Sequence, residues 1–477
     1  MNTKKIIANV GKILEDHIQK SRKRKTHALN QLAPEIVAKE LKLKKYLKNG
    51  FESSSEIYDF VLNYLNNTNN LSHPHYMGHQ VSVPNDLGGI PELIHGTINN
   101  PSSIYEMGPA GSTCEGFMIN WMLDKIGWEN NKDFYNFKFL PGKPSGVLTH
   151  GGSLANLTAL SAARSYVSPK SWTNGNESNL VIIGAESVHY SILRSLSILG
   201  LGQKSFVPIP VDKNEMIIFS ELEKVYKEQI LKGKKVMCLV ANACATSTGL
   251  FDPLDKLGNF CNKNNIWFHV DGAHGASALI SKKYKKLVAG IEKADSIIWD
   301  AHKMMQVPSL CTAVLFKDFK FQAGTFQQKG TYVFHDDEVL GIDSMPYTIE
   351  CTKSALGTKL FWAFAIKGEK SMENFITESF NLSKKLYNLL SRDSDFETPY
   401  KPQCNILCFR YIKYSKDNDF QLKLRYKIIN NNYFYISSCE INNTRYLRVV
   451  LINPLTKINH LKELLLEIKE TAKTLII

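Results

Sequence analysis

The sequence predicts an α/β fold built on a mostly parallel sheet, followed by a small α+β domain. Three observations predict it. From about residue 145, short β-branched runs alternate with stretches of helical periodicity. Each run ends in small or polar residues, as strand ends that face a crevice do in open α/β sheets. After about residue 365 the order changes to a helix, then short strands with Asn-rich turns, then a closing helix from roughly Asn459.

Taken in order, Ile6, Val10, Ile13, Leu14 and Ile18 fall on one helical face, so the chain opens with an amphipathic helix. Helical pattern continues to about residue 66, where Asn66-Asn67-Thr68-Asn69-Asn70 breaks it. This first part, 1–85, is too small for its own core, and its apolar stripes call for an outside surface. In the large domain, 86–360, the strand runs are 147–148, 180–184, 236–241, 266–270, 296–299 and 312–316. Strands alternating with helices put these runs in one sheet with helices on both faces. The remainder, 361–477, reads as the α+β domain.

Composition narrows the class. The chain has 477 residues, 43% hydrophobic and 22% charged, which excludes a disordered, collagen-like or coiled-coil chain. No stretch approaches 18 uninterrupted apolar residues, so no membrane span is expected. The opening MNTKKIIANVGKILEDHIQK lacks a signal-peptide core, and a cytoplasmic protein is expected. Lys and Arg number 58 against 45 Asp and Glu, a net charge of +13. Only Lys20-Ser21-Arg22-Lys23-Arg24-Lys25 concentrates it, and that run reads as a solvated helix end or an interface strap. No nucleic-acid motif accompanies it, so no nucleic-acid partner is expected. Nine cysteines without a CxxC read as reduced, mostly buried thiols, and no metal site is expected.

The chemistry sits at the strand ends. After 147–148 comes Thr149-His150-Gly151-Gly152-Ser153-Leu154-Ala155-Asn156, a glycine turn opening a helix. Its backbone N–H groups and the helix dipole suit an anion, although such a turn alone is more often a plain helix cap. It is neither GxGxxG nor a P-loop. After the next run, His189 opens another helix. Asp271-Gly272-Ala273-His274-Gly275 follows the 266–270 run, and Asp300-Ala301-His302-Lys303-Met304-Met305 follows 296–299. Lysine is seldom buried without a partner or a task, and desolvation is expected to free its amine as a nucleophile. A phosphate cradle, an aromatic His, an acid and a buried Lys on one sheet edge make the set that pyridoxal phosphate requires.

These segments resemble the pyridoxal-phosphate-dependent group II amino-acid decarboxylases, the family of the aromatic-amino-acid, glutamate, tyrosine and diaminobutyrate decarboxylases. His73-Pro74-His75-Tyr76-Met77, Glu115, Phe251-Asp252-Pro253 and Leu447-Arg448-Val449 through Asn453-Pro454 extend the likeness from about residue 55 to the C-terminus. The resemblance implies the fold type I of pyridoxal-phosphate transferases, aspartate-aminotransferase-like, with a sheet of seven strands. It implies decarboxylation of an L-amino acid to the amine and carbon dioxide, through a Lys303 Schiff base and a quinonoid. It also implies a homodimer with active sites at the subunit boundary.

The same resemblance assigns roles. Lys303 would carry the cofactor and Asp271 would pair with its pyridinium nitrogen. His189 would stack on one ring face and Ala273 would pack on the other. Gly152, Ser153 and His302 would hold the phosphate, with Thr246 near the 3-hydroxyl. Arg448 matches a substrate-carboxylate arginine, against the plainer reading of a structural ion pair. Tyr332, in Gln327-Gln328-Lys329-Gly330-Thr331-Tyr332, matches a loop tyrosine that protonates the substrate carbon. His79 and Gln80, just after the HPHYM segment, are expected to line the substrate pocket. Two positions depart from the family pattern. His274 stands where Trp is usual, and Asp300 replaces a frequent Asn near the phosphate, so its carboxylate is expected to turn toward a backbone N–H or a cation. The alternatives are another reaction on the same cofactor, aldehyde-forming or transaminating, and a binding protein that retains a dead enzyme fold. The intact Lys303, Asp271 and His189 weigh against the second.

Overall fold

Seven strands carry the larger of two units, residues 80–381 with 402–404. They are β1 (Ser145–Thr149), β2 (Leu180–Ala185), β3 (Phe206–Ile209), β4 (Lys235–Asn242), β5 (Trp267–Asp271), β6 (Ser296–Asp300) and β7 (Thr312–Phe316). The computed structural model describes residues 1–128, 134–213, 215–326, 341 and 343–476. The sheet order is β1-β7-β6-β5-β4-β2-β3. Strands β2 to β6 pair in parallel, and β7 runs against both β1 and β6. The expected mostly parallel sheet is therefore present.

Strands β1, β2, β5, β6 and β7 are buried along their whole length, as a sheet covered on both faces requires. Helix Gly152–Val167 lays Ala155, Ala159, Ala162 and Ala163 against Val147, Val240, Ile298 and Val314. Its small residues let the helix approach the strands closely. Strand β3 escaped the sequence reading because it is short and contains Pro208, which only an edge strand tolerates.

A buried ion pair ties the helix before β1 into this unit. Glu115, on helix Pro109–Ile126, accepts from the Leu148 N–H at 2.9 Å and from Lys353 Nζ at 2.5 Å. Lys353 also donates to the Leu148 carbonyl at 3.0 Å, and its side chain is fully buried. Removing the ammonium alone would strand a buried carboxylate, at a cost of roughly 3–5 kcal/mol. Lys353→Met is expected to lower the urea midpoint sharply, and adding Glu115→Gln should recover part of the loss. Equal midpoints for wild type and Lys353→Met would refute the pair's role.

The other unit comprises 1–79, 382–401 and 405–477. Helices Thr3–Arg22, Pro34–Glu40, Leu43–Asn49 and Ser54–Asn66 open it. The first and last are joined by an Asn9 to Tyr58 hydrogen bond of 2.9 Å. Strands β8 (Phe396–Glu397), β9 (Ile406–Tyr411), β10 (Ser437–Ile441) and β11 (Thr444–Val450) form an antiparallel sheet in the order β10-β11-β9-β8. The closing helix is Ile458–Lys473. Boundaries expected at 85 and 360 fall instead near 79 and 381, because the start of the chain shares a core with its end. Leu29, Tyr76 and Met77 pack among Phe409, Phe434 and Leu447. The Met77 N–H donates to the Tyr435 carbonyl at 2.9 Å, a pairing between distant segments that helical periodicity does not report.

His73 and His75 are fully buried in this unit. Burial, with neighbouring His75 and His460 respectively, pushes each down to about 4. His269, buried on β5, is also pushed down to about 4 by burial, against the pull of Asp271. The unfolded chain therefore binds protons more readily than the folded one between pH 6.5 and 4. Their contribution is complete above 6.5 and is lost as pH falls through that window. Tm is expected to drop by roughly 5–10 °C between pH 7 and 4.5. A flat Tm over that range, followed by calorimetry, would contradict the assignment.

Candidate active site

The carboxyl ends of β4, β5 and β6 and the turn after β1 surround a cavity of about 340 Å³. Each contributes a residue because all these strands point the same way and stop at the same edge of the sheet. Strand β5 ends in Asp271, β6 in Asp300, and β4 in Asn242, and all three line the cavity. All eight residues expected around the cofactor line it too: Gly152, Ser153, His189, Thr246, Asp271, Ala273, His302 and Lys303.

The turn after β1 has the form an anion seat needs. Gly151 adopts φ +105°, a region glycine occupies freely, and helix Gly152–Val167 starts directly after it. A Cβ on Gly152 would lie 3.1 Å from an Asp300 oxygen, a tight contact that would require the carboxylate to shift. The first N–H groups of a helix have no intrahelical partner and are directed outward.

Lys303 sits in the short helix Ala301–Met304, which starts directly after Asp300. Its Nζ lies 3.0 Å from Asp300 Oδ2, and Thr312 donates to Asp300 Oδ1 at 2.6 Å. Asp300 thus turns toward the Lys303 cation and the Thr312 hydroxyl. Burial alone would push the Lys303 amine down, but the Asp300 and Asp271 carboxylates outweigh it and hold the amine above its ordinary value. The expectation that desolvation frees this amine is corrected accordingly: in the cofactor-free chain Asp300 keeps it charged. Burial likewise opposes ionisation of Asp300, and Lys303 and His302 overcome it, so the carboxyl lies below its ordinary value.

Asp271 is held at both oxygens. Asn156 donates to Oδ2 at 3.0 Å, and the Ala273 N–H reaches Oδ1 at 3.2 Å. His189 caps helix Tyr190–Ile198, with Nδ1 2.8 Å from Ser191 Oγ. Burial, opposed by Asp271, holds its imidazole below the ordinary value, and it stays neutral at pH 7. His302 Nδ1 lies 2.9 Å from the Cys311 carbonyl oxygen. His274, where the family usually has Trp, is buried and lines the same wall.

His79, Gln80 and Arg448 are not among the residues that line this cavity. His79 and Arg448 belong to the smaller unit. Arg448 is buried there, and its Nη1 donates to Ser437 Oγ at 3.2 Å and to the Gly78 carbonyl at 3.4 Å. Gln80 belongs to the larger unit but is not among the cavity's lining residues. Tyr332 lies outside the described residues. Asn156, Asn242, Cys244, Tyr190 and Leu310 are among the lining residues to which sequence reasoning assigned no role. Asn156 was visible in principle, since it stands one helical turn after Gly152 and shares its face.

The donor set fits pyridoxal phosphate: a half-buried lysine for its aldehyde, a fixed carboxylate for its ring nitrogen, and a glycine-opened helix start for its phosphate. Residues 53–412 match the family model described as the pyridoxal-dependent decarboxylase conserved domain. The chain is 28% identical over 433 residues to an aromatic-L-amino-acid decarboxylase of Bacillus atrophaeus, covering 89% of this chain and 87% of that one. It is 24% identical over 446 residues to an L-2,4-diaminobutyrate decarboxylase of Acinetobacter baumannii, covering 89% and 85%. Among solved structures, apo mouse CSAD aligns with a TM-score of 0.89 at 23% identity over 98% of both chains. A tryptophan decarboxylase of Catharanthus roseus in complex with L-tryptophan aligns at 0.82 with 18% identity over 99% of both. At such identities the solved structures speak for the fold alone. The family match spans the whole sheet and the cavity at its edge, and this chain belongs to the pyridoxal-dependent decarboxylases, enzymes that release carbon dioxide from an amino acid with pyridoxal phosphate as cofactor.

Proposed function

We propose that the chain decarboxylates an L-amino acid in the cavity at the edge of the seven-stranded sheet, with Lys303 holding the cofactor. The observation that supports this most is the convergence of Lys303, Asp271 and His189 on one cavity beside a helix start. When bound, pyridoxal phosphate supplies an electron sink for the pair left on the substrate carbon as carbon dioxide departs. Asp271, held by Asn156 and the Ala273 N–H, would present its carboxylate to the cofactor's ring nitrogen. Gly152, Ser153 and His302 would hold its phosphate, where the helix dipole favours negative charge. His189 and Ala273 would bracket the ring, and Thr246 would meet the 3-hydroxyl.

Lys303 must shed a proton before its nitrogen can form a bond. Asp300 Oδ2, at 3.0 Å, holds the charged form, so the neutral amine becomes available as pH rises. Tyr332 is our proposed donor of the proton that replaces the carboxylate, and His79, Gln80 and Arg448 are our proposed substrate contacts. The reaction is tested with a panel of L-amino acids, scored for amine, carbon dioxide and hydrogen peroxide. One amine per carbon dioxide without peroxide is the expected result, and an aldehyde with peroxide would overturn the reading.

The proposal includes a homodimer in the cytoplasm. In the N-terminal helices Ile7, Leu14, Leu47 and Leu62 are exposed, Leu47 at 90%, which is apolar surface that a second subunit would cover. The nine cysteines form no disulfide among the described residues, and no helix there is long and apolar enough to cross a membrane. Sedimentation is expected to give twice the 54.0 kDa chain mass. A fully active monomer would refute the dimer. Mixing Lys303→Ala with Tyr332→Phe chains should restore some activity if loop and lysine come from different subunits.

A further inference from the structure

We infer that Trp267, Ser296, His269 and Asn156 form a one-way chain of hydrogen bonds that fixes which end of the Asn156 amide faces Asp271 and Ser191. These four are positioning residues, and their role rests on the proposed functions of Asp271 and His189.

Alternation along β5 puts Trp267, His269 and Asp271 on one face of the strand. The parallel register sets His269 beside Ser296 of β6. Trp267 Nε1 lies 2.9 Å from Ser296 Oγ, and Ser296 Oγ lies 2.8 Å from His269 Nδ1. His269 Nε2 lies 2.9 Å from Asn156 Oδ1. Asn156 Nδ2 reaches Asp271 Oδ2 at 3.0 Å and Ser191 Oγ at 2.9 Å. Ser191 Oγ in turn lies 2.8 Å from His189 Nδ1.

Only one set of directions satisfies this geometry. The Asp271 carboxylate accepts, so the Asn156 amide turns its N–H bonds toward Asp271 and Ser191 and its Oδ1 toward His269. His269 Nε2 must then donate to Asn156 Oδ1. In a neutral imidazole that leaves Nδ1 as an acceptor, so Ser296 donates its proton there while its Oγ accepts from the Trp267 indole N–H. Ser191 has its own proton left for His189 Nδ1, which also receives the Ser191 backbone N–H at 3.3 Å. Reversing the chain would place Asn156 Oδ1 against the Asp271 carboxylate, two acceptors about 3 Å apart with no proton between them. Trp267, Ser296, His269, Asn156 and Ser191 are each at most 2% exposed, so bulk water cannot relieve the mismatch. Burial also keeps His269 neutral near pH 7, as an accepting Nδ1 requires.

The consequence is that a residue remote from the cavity helps hold its charge. With the amide fixed, Asp271 keeps a donor on Oδ2 and its other oxygen on the Ala273 N–H, and His189 keeps its proton on Nε2.

The test uses the full chain with its histidines labelled with ¹⁵N, with and without pyridoxal phosphate. Ring nitrogen shifts are expected to show His269 and His189 protonated on Nε2 from pH 6 to 8. In Ser296→Ala the His269 tautomers are expected to mix, and pyridoxal phosphate should bind about 10-fold more weakly, the effect of one misdirected buried hydrogen bond. Ser296→Thr keeps the hydroxyl and should restore both. A wild-type His269 protonated on Nδ1 would overturn the inference, as would a folded Ser296→Ala chain with unchanged tautomers. Intact tautomers in a chain that releases no carbon dioxide would count against the proposed reaction and leave the hydrogen-bond chain standing.

Discussion

Lys303→Ala is expected to abolish carbon dioxide release, by at least about 10⁴-fold, because no other group can replace a nucleophile that bonds covalently. Borohydride reduction of the wild type, followed by peptide mapping, should place the pyridoxyl label on Lys303. The variant should carry none there. A label on Lys293 would refute the assignment. Lys293 has the chemistry of an ordinary surface lysine, paired with Asp255 at 2.6 Å, whereas Lys303 faces the cavity with Asp300 beside it. The pH dependence has a definite sign. Asp300 and Asp271 hold the Lys303 amine above its ordinary value, so the reactive neutral fraction in the cofactor-free chain is small at pH 7 and grows as pH rises. Capture of added pyridoxal phosphate, followed by absorbance, should accelerate from pH 7 to 9. Asp300→Asn removes the nearest counter-charge and should shift that profile to lower pH.

How much of this was legible in the sequence depends on the range of the interaction. Strand β7 was read at its observed ends, and β2, β4, β5 and β6 to within one residue at each end, because buried strands are continuous β-branched or aromatic runs closed by polar residues. The strand-end rule then named the cavity residues, since Asp271, His302 and Lys303 stand at a strand's last residue or within three residues of it. The direction of the Lys303 shift was not legible. It depends on Asp300 folding back by one helical turn while Thr312, from a neighbouring strand, fixes its other oxygen. Nor was the joining of the first 79 residues to the C-terminal sheet, which rests on a shared core and on backbone bonds such as Met77 to Tyr435. Asn156 lay within a quoted motif and passed as a helix residue. Its importance comes from three partners contributed by one strand, β5, and a second helix, which no local pattern encodes.

Asp271→Asn is expected to bind pyridoxal phosphate yet lose at least about 100-fold in turnover, equivalent to roughly 2.7 kcal/mol of transition-state stabilisation. The argument starts from the two donors that already hold this side chain. Asn156 Nδ2–H points at Oδ2 and the Ala273 N–H points at Oδ1, so a carboxylate satisfies both. An amide offers one acceptor and one NH₂ group, and whichever way it turns, one of these donors meets another donor. The charge is lost as well. A protonated ring nitrogen in a buried site needs an ion pair to remain protonated, and a neutral amide does not supply one. Because electron withdrawal by the ring depends on that proton, turnover should fall while the lysine linkage and the phosphate contacts keep the cofactor in place. Three measurements on one variant separate the outcomes. The pyridoxyl label should still map to Lys303, the pyridoxal phosphate affinity should change less than turnover does, and the absorption band of the bound cofactor should become sensitive to pH near neutrality. Near wild-type turnover would remove Asp271 from the mechanism, and loss of cofactor together with activity would make it a binding residue only.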